Sequence, residues 1–143
     1  MLDKHAGHFF TIWYGVLSLR EHILTFSGGG HPPAILFSGL ARSSTGLLEL
    51  ATSGPPIGIL NHISFGNSSV HVPAGARLFL YSDGVVETGN TDVMSLDHPA
   101  FTKFVTEISG APNLMDRVLN RCRQPRRNSP ATDDCSLILA TFT

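Results

Sequence analysis

Short apolar segments, rich in aromatic and β-branched residues and each ended by turn residues, most restrict the fold of this sequence. HFFTIWYGVLSL (8–19) is followed, after a few polar residues, by HILTFS (22–27). Two such segments joined by a short polar stretch predict a β-hairpin. Residues 28–33, GGGHPP, are expected to stop the second strand. Further strands are predicted at residues 34–38 and 47–51, with at most a short edge strand in NHISFGNSSVHV (61–72).

The second half of the chain predicts both strands and helices. RLFLYS (77–82), closed by Asp83-Gly84, is the clearest strand, and CSLILATF (135–142) is expected to be a buried strand. Apolar residues spaced three and four apart predict a helix from Pro99, with Asp97 as its N-cap and Gly110 as its stop. A second helix is predicted to follow, with one apolar face made of Leu114, Met115, Val118, Leu119 and Cys122. Many strands followed by two late helices indicate an α+β fold.

Composition limits the classes of protein and the compartment. A length of 143 residues predicts one domain, and a net charge of −1 with 15% charged residues argues against nucleic-acid binding. Apolar runs are far shorter than the roughly 20 residues of a spanning helix, and the first ten residues do not resemble a secretion signal. Cys122 and Cys135 are interpreted as free thiols in a reducing cytosol. These features predict a cytoplasmic protein that does not act on a membrane.

Carboxylates stand beside two of the predicted strands. Asp83 directly follows RLFLYS, and Asp133 and Asp134 come directly before CSLILATF. If the two strands are antiparallel neighbours, these carboxylates meet at one rim of the sheet, where oxygen ligands suit Mg²⁺ or Mn²⁺. Two alternatives remain open from the residues alone. Asp83-Gly84 also matches a hairpin turn, and Asp133-Asp134 could simply end the polar connector RQPRRNSPAT.

Other chemistries find less support in the sequence. The seven histidines lack zinc-ligand spacing, and no G-x-S-x-G motif is present for a serine hydrolase. GGGHPP lacks the Lys and Ser/Thr of a phosphate-binding P-loop and is interpreted as a structural turn. The arginine cluster at 117–127 could bind a phosphorylated partner, but the residues favour a solvated surface.

Three blocks, FFTIWYGVLSLREHILTFSGGGHPPAILFS, VPAGARLFLYSDGVVETGN and ATDDCSLILATF, occur in this order along the chain. Together they resemble the later blocks of the bacterial protein phosphatase 2C-like (PPM) family, in its sporulation stage II protein E and sigma-factor-regulator branch. The resemblance runs from Phe9 to Phe142. It rests most specifically on SDGVVET followed, at this distance, by DD before an apolar strand.

The resemblance implies an α-β-β-α sandwich with a two-metal site for Mn²⁺ or Mg²⁺ at one end of the paired sheets. Asp83 and Asp133 would be metal ligands, Asp134 is the neighbour of the second, and Gly84 lets the backbone pass close to an ion. The implied activity is hydrolysis of phosphoserine or phosphothreonine, in which a metal-activated water attacks phosphorus, so no side chain acts as nucleophile. The implied substrate is a phosphorylated protein of the anti-sigma-factor antagonist type.

One block of the family pattern does not occur in the chain. The opening Asp-x-x-Gly-His-Gly motif, which supplies a further metal ligand, is absent, so residues 1–143 are expected to form a partial domain. The chain is therefore interpreted either as part of a metal-dependent phosphatase or as a catalytically inactive binding module for a regulatory partner. Without the helices that accompany that block, one apolar sheet face is expected to be exposed and to allow self-association.

Overall fold

The computed structural model describes residues 8–38, 46–86, 98–122 and 135–143. Within them the chain forms seven strands, a short 3₁₀ turn at Asp83–Val85, and two helices. The strands are β1 (Ile12–Ser18), β2 (Ile23–Gly29), β3 (Ala34–Phe37), β4 (Leu47–Leu50), β5 (Ser68–His71), β6 (Arg77–Tyr81) and β7 (Leu137–Thr141). The helices are α1 (His98–Ile108) and α2 (Leu114–Cys122).

The strands form two sheets. One has the order β1-β2-β5 and the other β4-β3-β6-β7, and every neighbouring pair is antiparallel. The predicted hairpin is confirmed as β1 and β2, and the predicted short edge strand as β5. The registers place the ends of β2, β4 and β6 and the starts of β1, β3, β5 and β7 at one end of the molecule, which we call the site end.

The two sheets pack face to face through an apolar layer. Its buried members are Leu24, Phe26, Ala34, Leu36, Leu50, Val72, Ala76 and Leu78. Trp13 ties the sheets together, because its ring stacks on Phe26 at 5.6 Å between centroids and its Nε1 donates to the Leu50 carbonyl at 3.0 Å. The outer face of the three-stranded sheet is partly exposed, with Tyr14 at 61% and Val16 at 54%.

The helices cover the other face of the four-stranded sheet. The buried residues of this second core are Ile35, Phe37, Phe79, Tyr81, Val85, Val86, Phe101, Val105, Ile108, Leu114, Val118 and Cys122. Arg77 fastens this layer, since its Nη2 donates to the Ser109 carbonyl at 2.5 Å and its guanidinium lies 5.2 Å from the Phe37 ring. The predicted α+β class is confirmed, and the order of layers in the described residues is helices, sheet, sheet.

Two predictions about strands are wrong. The glycines do not stop β2, which continues through Gly28 and Gly29, paired with Trp13 and Ile12. Glycine is required here because a Cβ on Gly28 would lie 2.5 Å from the Ile12 carbonyl oxygen. The last strand is not buried on both faces. β7 is an edge of the described sheet, and Ile138 is 60% exposed.

Both helices begin and end close to their predicted positions. The periodic apolar residues of α2 face the core, with Leu114, Val118 and Cys122 buried. The expected N-cap Asp97 lies outside the described residues. None of the helices in the described ranges combines the length and the apolar character needed to cross a bilayer.

Candidate functional site

The end of β6 and the start of β7 meet at the site end, as the predicted convergence of the carboxylates requires. Tyr81 pairs with Leu137, and the pairing continues one residue further. The Ser82 N–H donates to the Ser136 carbonyl at 3.0 Å, and the Ser136 N–H donates to the Ser82 Oγ at 2.9 Å. Ser82 was not singled out from the sequence, because its role depends on a partner 54 residues away. These two hydrogen bonds hold Ser136, the residue before β7, beside Ser82, the residue after β6.

Asp83 opens a single 3₁₀ turn directly after β6. Its side chain is exposed, while Gly84, Val85 and Val86 are buried, and the two valines pack into the core beneath the helices. The turn is closed by hydrogen bonds from the Val85 N–H to the Ser82 carbonyl at 3.1 Å and from the Val86 N–H to the Asp83 carbonyl at 2.8 Å. The buried valines therefore hold the turn in place while the carboxylate faces outward.

Local contacts orient the Asp83 carboxylate. The Gly84 N–H donates to Asp83 Oδ1 at 2.9 Å. Two residues before β7, the Cys135 Sγ donates to the Gly84 carbonyl at 3.3 Å, which links the turn to the chain that enters β7. This oriented, exposed carboxylate has the oxygen chemistry that Mg²⁺ and Mn²⁺ prefer.

The hairpin-turn alternative for Asp83-Gly84 is wrong. β6 lies between β3 and β7 in its sheet, so neither neighbour is a strand that follows directly after the Asp-Gly pair. The local sequence signal is the same in both cases, because Asp and Gly favour turns of several kinds. Pairing of β6 on both edges distinguishes the two interpretations.

The second pair of carboxylates, Asp133 and Asp134, lies outside the described residues. Their approach to Asp83 stays a prediction, supported by the position of Cys135 beside Gly84. Within the ranges that the structure describes, no group of three or more His, Cys, Asp or Glu side chains is close enough to hold a metal. Asp133 and Asp134, which lie outside those ranges, stay the predicted partners of Asp83 in a metal site.

Tyr81 is the last residue of β6 and precedes this turn by two residues. It is 2% exposed and packs against the rings of Phe79 and Phe101, at 5.5 Å and 4.7 Å between centroids. Burial raises the pKa of its phenol well above the usual value, and the negative charge of Glu49 raises it further. The Tyr81 phenol is thus a buried, neutral group at physiological pH.

The GGGHPP segment joins the two sheets at the same end. Gly30 has a φ of +66°, and its N–H donates to the Gly54 carbonyl at 2.7 Å. After Gly29 ends β2, the rest of the segment leads into β3 and not into a helix, so only residues 30–33 form the predicted structural turn.

The arginine cluster is described only in part. On α2, Arg121 lies over the Phe104 ring at 4.5 Å, and the Nε of Arg117 donates to Asn113 Oδ1 at 3.1 Å. Arg123, Arg126 and Arg127 lie outside the described residues. Binding of a phosphorylated partner by the whole cluster stays a prediction.

Comparison with known proteins connects this geometry to a family of phosphatases. The family model described as stage II sporulation protein E (SpoIIE) matches residues 1–143. The chain is 30% identical over 140 residues, 96% of its length, to the phosphoserine phosphatase RsbP of Bacillus subtilis, and spans 32% of that protein. It is 26% identical over 102 residues, 71% of its length, to the phosphoserine phosphatase RsbU of Bacillus subtilis, and spans 29% of that protein.

A solved structure shows the same fold. The PP2C phosphatase domain of the cell fate determinant SpoIIE from Bacillus subtilis, solved with a fragment of its regulatory domain, superposes with a TM-score of 0.63 at 20% identity. The match covers 90% of this chain and 36% of that chain. The chain thus spans about a third of the length of the curated relatives named above and carries the PP2C fold over most of its residues.

Proposed function

Since this chain belongs to the stage II sporulation protein E family, we propose that it forms part of a metal-dependent phosphatase domain that hydrolyses phosphoserine or phosphothreonine in a regulatory protein. The observation that carries the proposal is the pairing of β6 with β7. It brings the Asp83 turn and the residues that follow Asp134 to one end of the sandwich, where a phosphorylated side chain can approach from solvent.

The proposed metal ligands are Asp83, Asp133 and Asp134, and the proposed ions are Mn²⁺ or Mg²⁺. The described part of the site fits such an ion, because Asp83 offers an exposed carboxylate on a turn fixed by buried neighbours. When bound, such ions supply an activated water and neutralise the phosphoryl oxygens.

The residues of this chain position the site. Val85 and Val86 anchor the turn in the core, and the Gly84 N–H orients the Asp83 carboxylate. The Ser82–Ser136 bonds set the distance between the turn and the incoming strand. An exposed carboxylate on a fixed turn needs little reorganisation when it binds a cation.

The proposed substrate is a phosphorylated protein of the anti-sigma-factor antagonist type, in the bacterial cytoplasm. Its support is the similarity to RsbP and RsbU, both named as phosphoserine phosphatases. The alternative function is a catalytically inactive module that binds a regulatory partner. It differs measurably, since such a module would bind its partner without metal and would hydrolyse nothing.

Replacement of Asp83 decides between these functions. We expect Mn²⁺-dependent hydrolysis of a phosphoserine peptide by a protein that contains this chain behind an Asp-x-x-Gly-His-Gly block. Asp83→Asn should lower kcat/KM by at least about a hundredfold, since changes around metal ligands already cost roughly 10- to 100-fold. Phosphate release measures turnover, and electron paramagnetic resonance of free Mn²⁺ measures metal binding.

Asp116→Asn is the matched control. Asp116 carries an exposed carboxylate on α2, and its replacement by Asn is the same chemical change as Asp83→Asn. It should leave both turnover and Mn²⁺ binding unchanged. Equal turnover with and without metal would refute the phosphatase mechanism. Partner binding without any turnover would support the inactive module.

A further inference from the structure

A cleft of about 360 Å³ opens at the site end, between the segment that follows β4 and the segment that leads into β5. Residues 51–53, which follow β4, line one side, residues 66–68 line the other, and Phe26 contributes from the sheet behind them. Its volume falls within the roughly 300–1,000 Å³ of typical ligand pockets. We propose that this cleft binds an uncharged residue of the phosphoprotein substrate, about three residues from the phosphoserine. The inference rests on the proposed function.

Contacts with the sheets hold both sides of the cleft in place. On one side, the Trp13 Nε1 donates to the carbonyl of Leu50, the residue directly before the 51–53 segment. On the other side, the Ser27 Oγ donates to the Gly66 carbonyl at 2.9 Å. Phe26 is fixed by stacking on Trp13. The cleft is thus built from segments fastened to the sandwich, as a preformed binding site requires.

The position of the cleft sets its distance from Asp83. Leu50 at the end of β4 pairs with Ala34, and β3 also pairs with β6, so two strand spacings separate β4 from β6. Two spacings amount to about 10 Å. An extended peptide advances about 3.4 Å per residue, so a segment with its phosphoserine at Asp83 reaches the cleft about three residues away.

The chemistry of the lining selects the occupant. Among the described residues that line the cleft there is no Lys, Arg, Asp or Glu, so none of these side chains would neutralise a phosphate or an ionised side chain. Ser53, Asn67 and Ser68 bring hydroxyl and amide groups. Thr52 has a buried Oγ1 that hydrogen-bonds no described protein group. An uncharged side chain that can hydrogen-bond, such as that of Asn, fits this lining better than Lys or Asp.

Tryptophan fluorescence of the 143-residue chain, with Mg²⁺ present to neutralise the phosphoryl oxygens, can measure this preference. Trp13 is the only tryptophan and stacks on Phe26 in the cleft, so its emission reports occupancy. The probes are capped alanine heptapeptides with a central phosphoserine and with Asn, Asp or Lys placed three residues before or after it. We expect the Asn peptide to bind at least about fivefold more tightly than the Asp and Lys peptides on one of the two sides.

A matched pair of charge variants tests the location. Ser68 lines the cleft and lies opposite Phe26, whereas the next residue, Ser69, faces the outer side of the sheet, where its Oγ lies 2.9 Å from Thr25 Oγ1. Ser68→Asp should improve binding of the Lys peptide about fivefold and weaken binding of the Asp peptide. Ser69→Asp should leave the order of the three peptides unchanged.

The outcomes separate this inference from the proposed function. Equal shifts in Ser68→Asp and Ser69→Asp, or no preference in the unaltered chain, would overturn the cleft assignment even if hydrolysis requires Asp83 and Mn²⁺. A switch in preference confined to Ser68→Asp would support the cleft even if the Asp83 experiment shows no turnover.

Discussion

At the scale of single residues, Tyr81 links the candidate site to stability at alkaline pH. Its pKa is raised in the folded protein by burial and by Glu49, while an unfolded tyrosine titrates at about pH 10. The stability that the neutral phenol contributes is therefore present below about pH 10 and is lost as the pH rises through the folded pKa. The free energy of unfolding should fall as the pH rises above about 10, and by about pH 11 Tyr81→Phe should reduce this fall by about 1 kcal/mol. Urea denaturation followed by circular dichroism measures it, and parallel curves for both proteins would contradict the assignment.

Some residues of the candidate site could be predicted from the sequence alone, and others could not. Asp83 was predictable, because an Asp-Gly pair after an apolar strand is a local pattern. Ser82 and Ser136 were not, because their bonds depend on the register of strands far apart in sequence. The cleft was missed for the same reason, since its two sides come from different sheets.

At the scale of elements, the end of β2 and the segment after β4 cross with almost no space between them. A Cβ on Gly54 would clash with the Phe65 ring and would lie 2.6 Å from the Gly28 carbonyl oxygen. Gly54→Ala should lower the free energy of unfolding by about 1–3 kcal/mol, because a backbone atom cannot move aside as a side chain can. Gly66→Ala is the control, since nothing lies within 4 Å of its Cβ position, and it should change stability by less than about 0.5 kcal/mol. Urea denaturation measures both variants, and equal losses would show that the crossing is not tightly packed.

The elements differ in how well local patterns define them. The helices were predicted closely because three- and four-residue apolar spacing reports directly on the buried face. The end of β2 was placed too early, because its glycines are used for close packing and not for a turn. The burial of β7 was overestimated, because an apolar run does not reveal whether a strand lies at the centre or the edge of a sheet.

At the scale of the whole molecule, the outer face of the three-stranded sheet combines exposed apolar residues with polar ones. Tyr14, Val16 and Ile23 are 61%, 54% and 37% exposed. We expect the 143-residue chain to associate with itself as its concentration rises, because an exposed apolar sheet face favours contact with a second copy. Val16→Lys should reduce this association, which sedimentation velocity measures. Leu19→Lys, in the turn between β1 and β2 where Leu19 is 80% exposed, should not reduce it. Identical sedimentation of both variants and the unaltered chain would exclude this face.

The overall architecture was predictable as a class but not as an arrangement. Strand and helix patterns indicated α+β, whereas the order of layers came from the resemblance to the phosphatase 2C-like family. The reason is physical, since the pairs that build the sandwich join distant residues such as Trp13 with Leu50 and Tyr81 with Leu137. Periodicity within one segment carries no information about such partners.

The edge position of β7 also concerns local opening of the native state. Within the described sheet β7 is held by β6 alone, whereas β6 is held on both sides. An edge strand can detach at a lower free-energy cost than that of global unfolding. Such an opening would separate the residues before β7 from the Asp83 turn while the packed sheets and helices persist. The two parts of the candidate site, the Asp83 turn and the residues before β7, can therefore separate and return without unfolding of the domain. A ligand that contacts both parts would shift this equilibrium toward the state in which β7 is paired with β6.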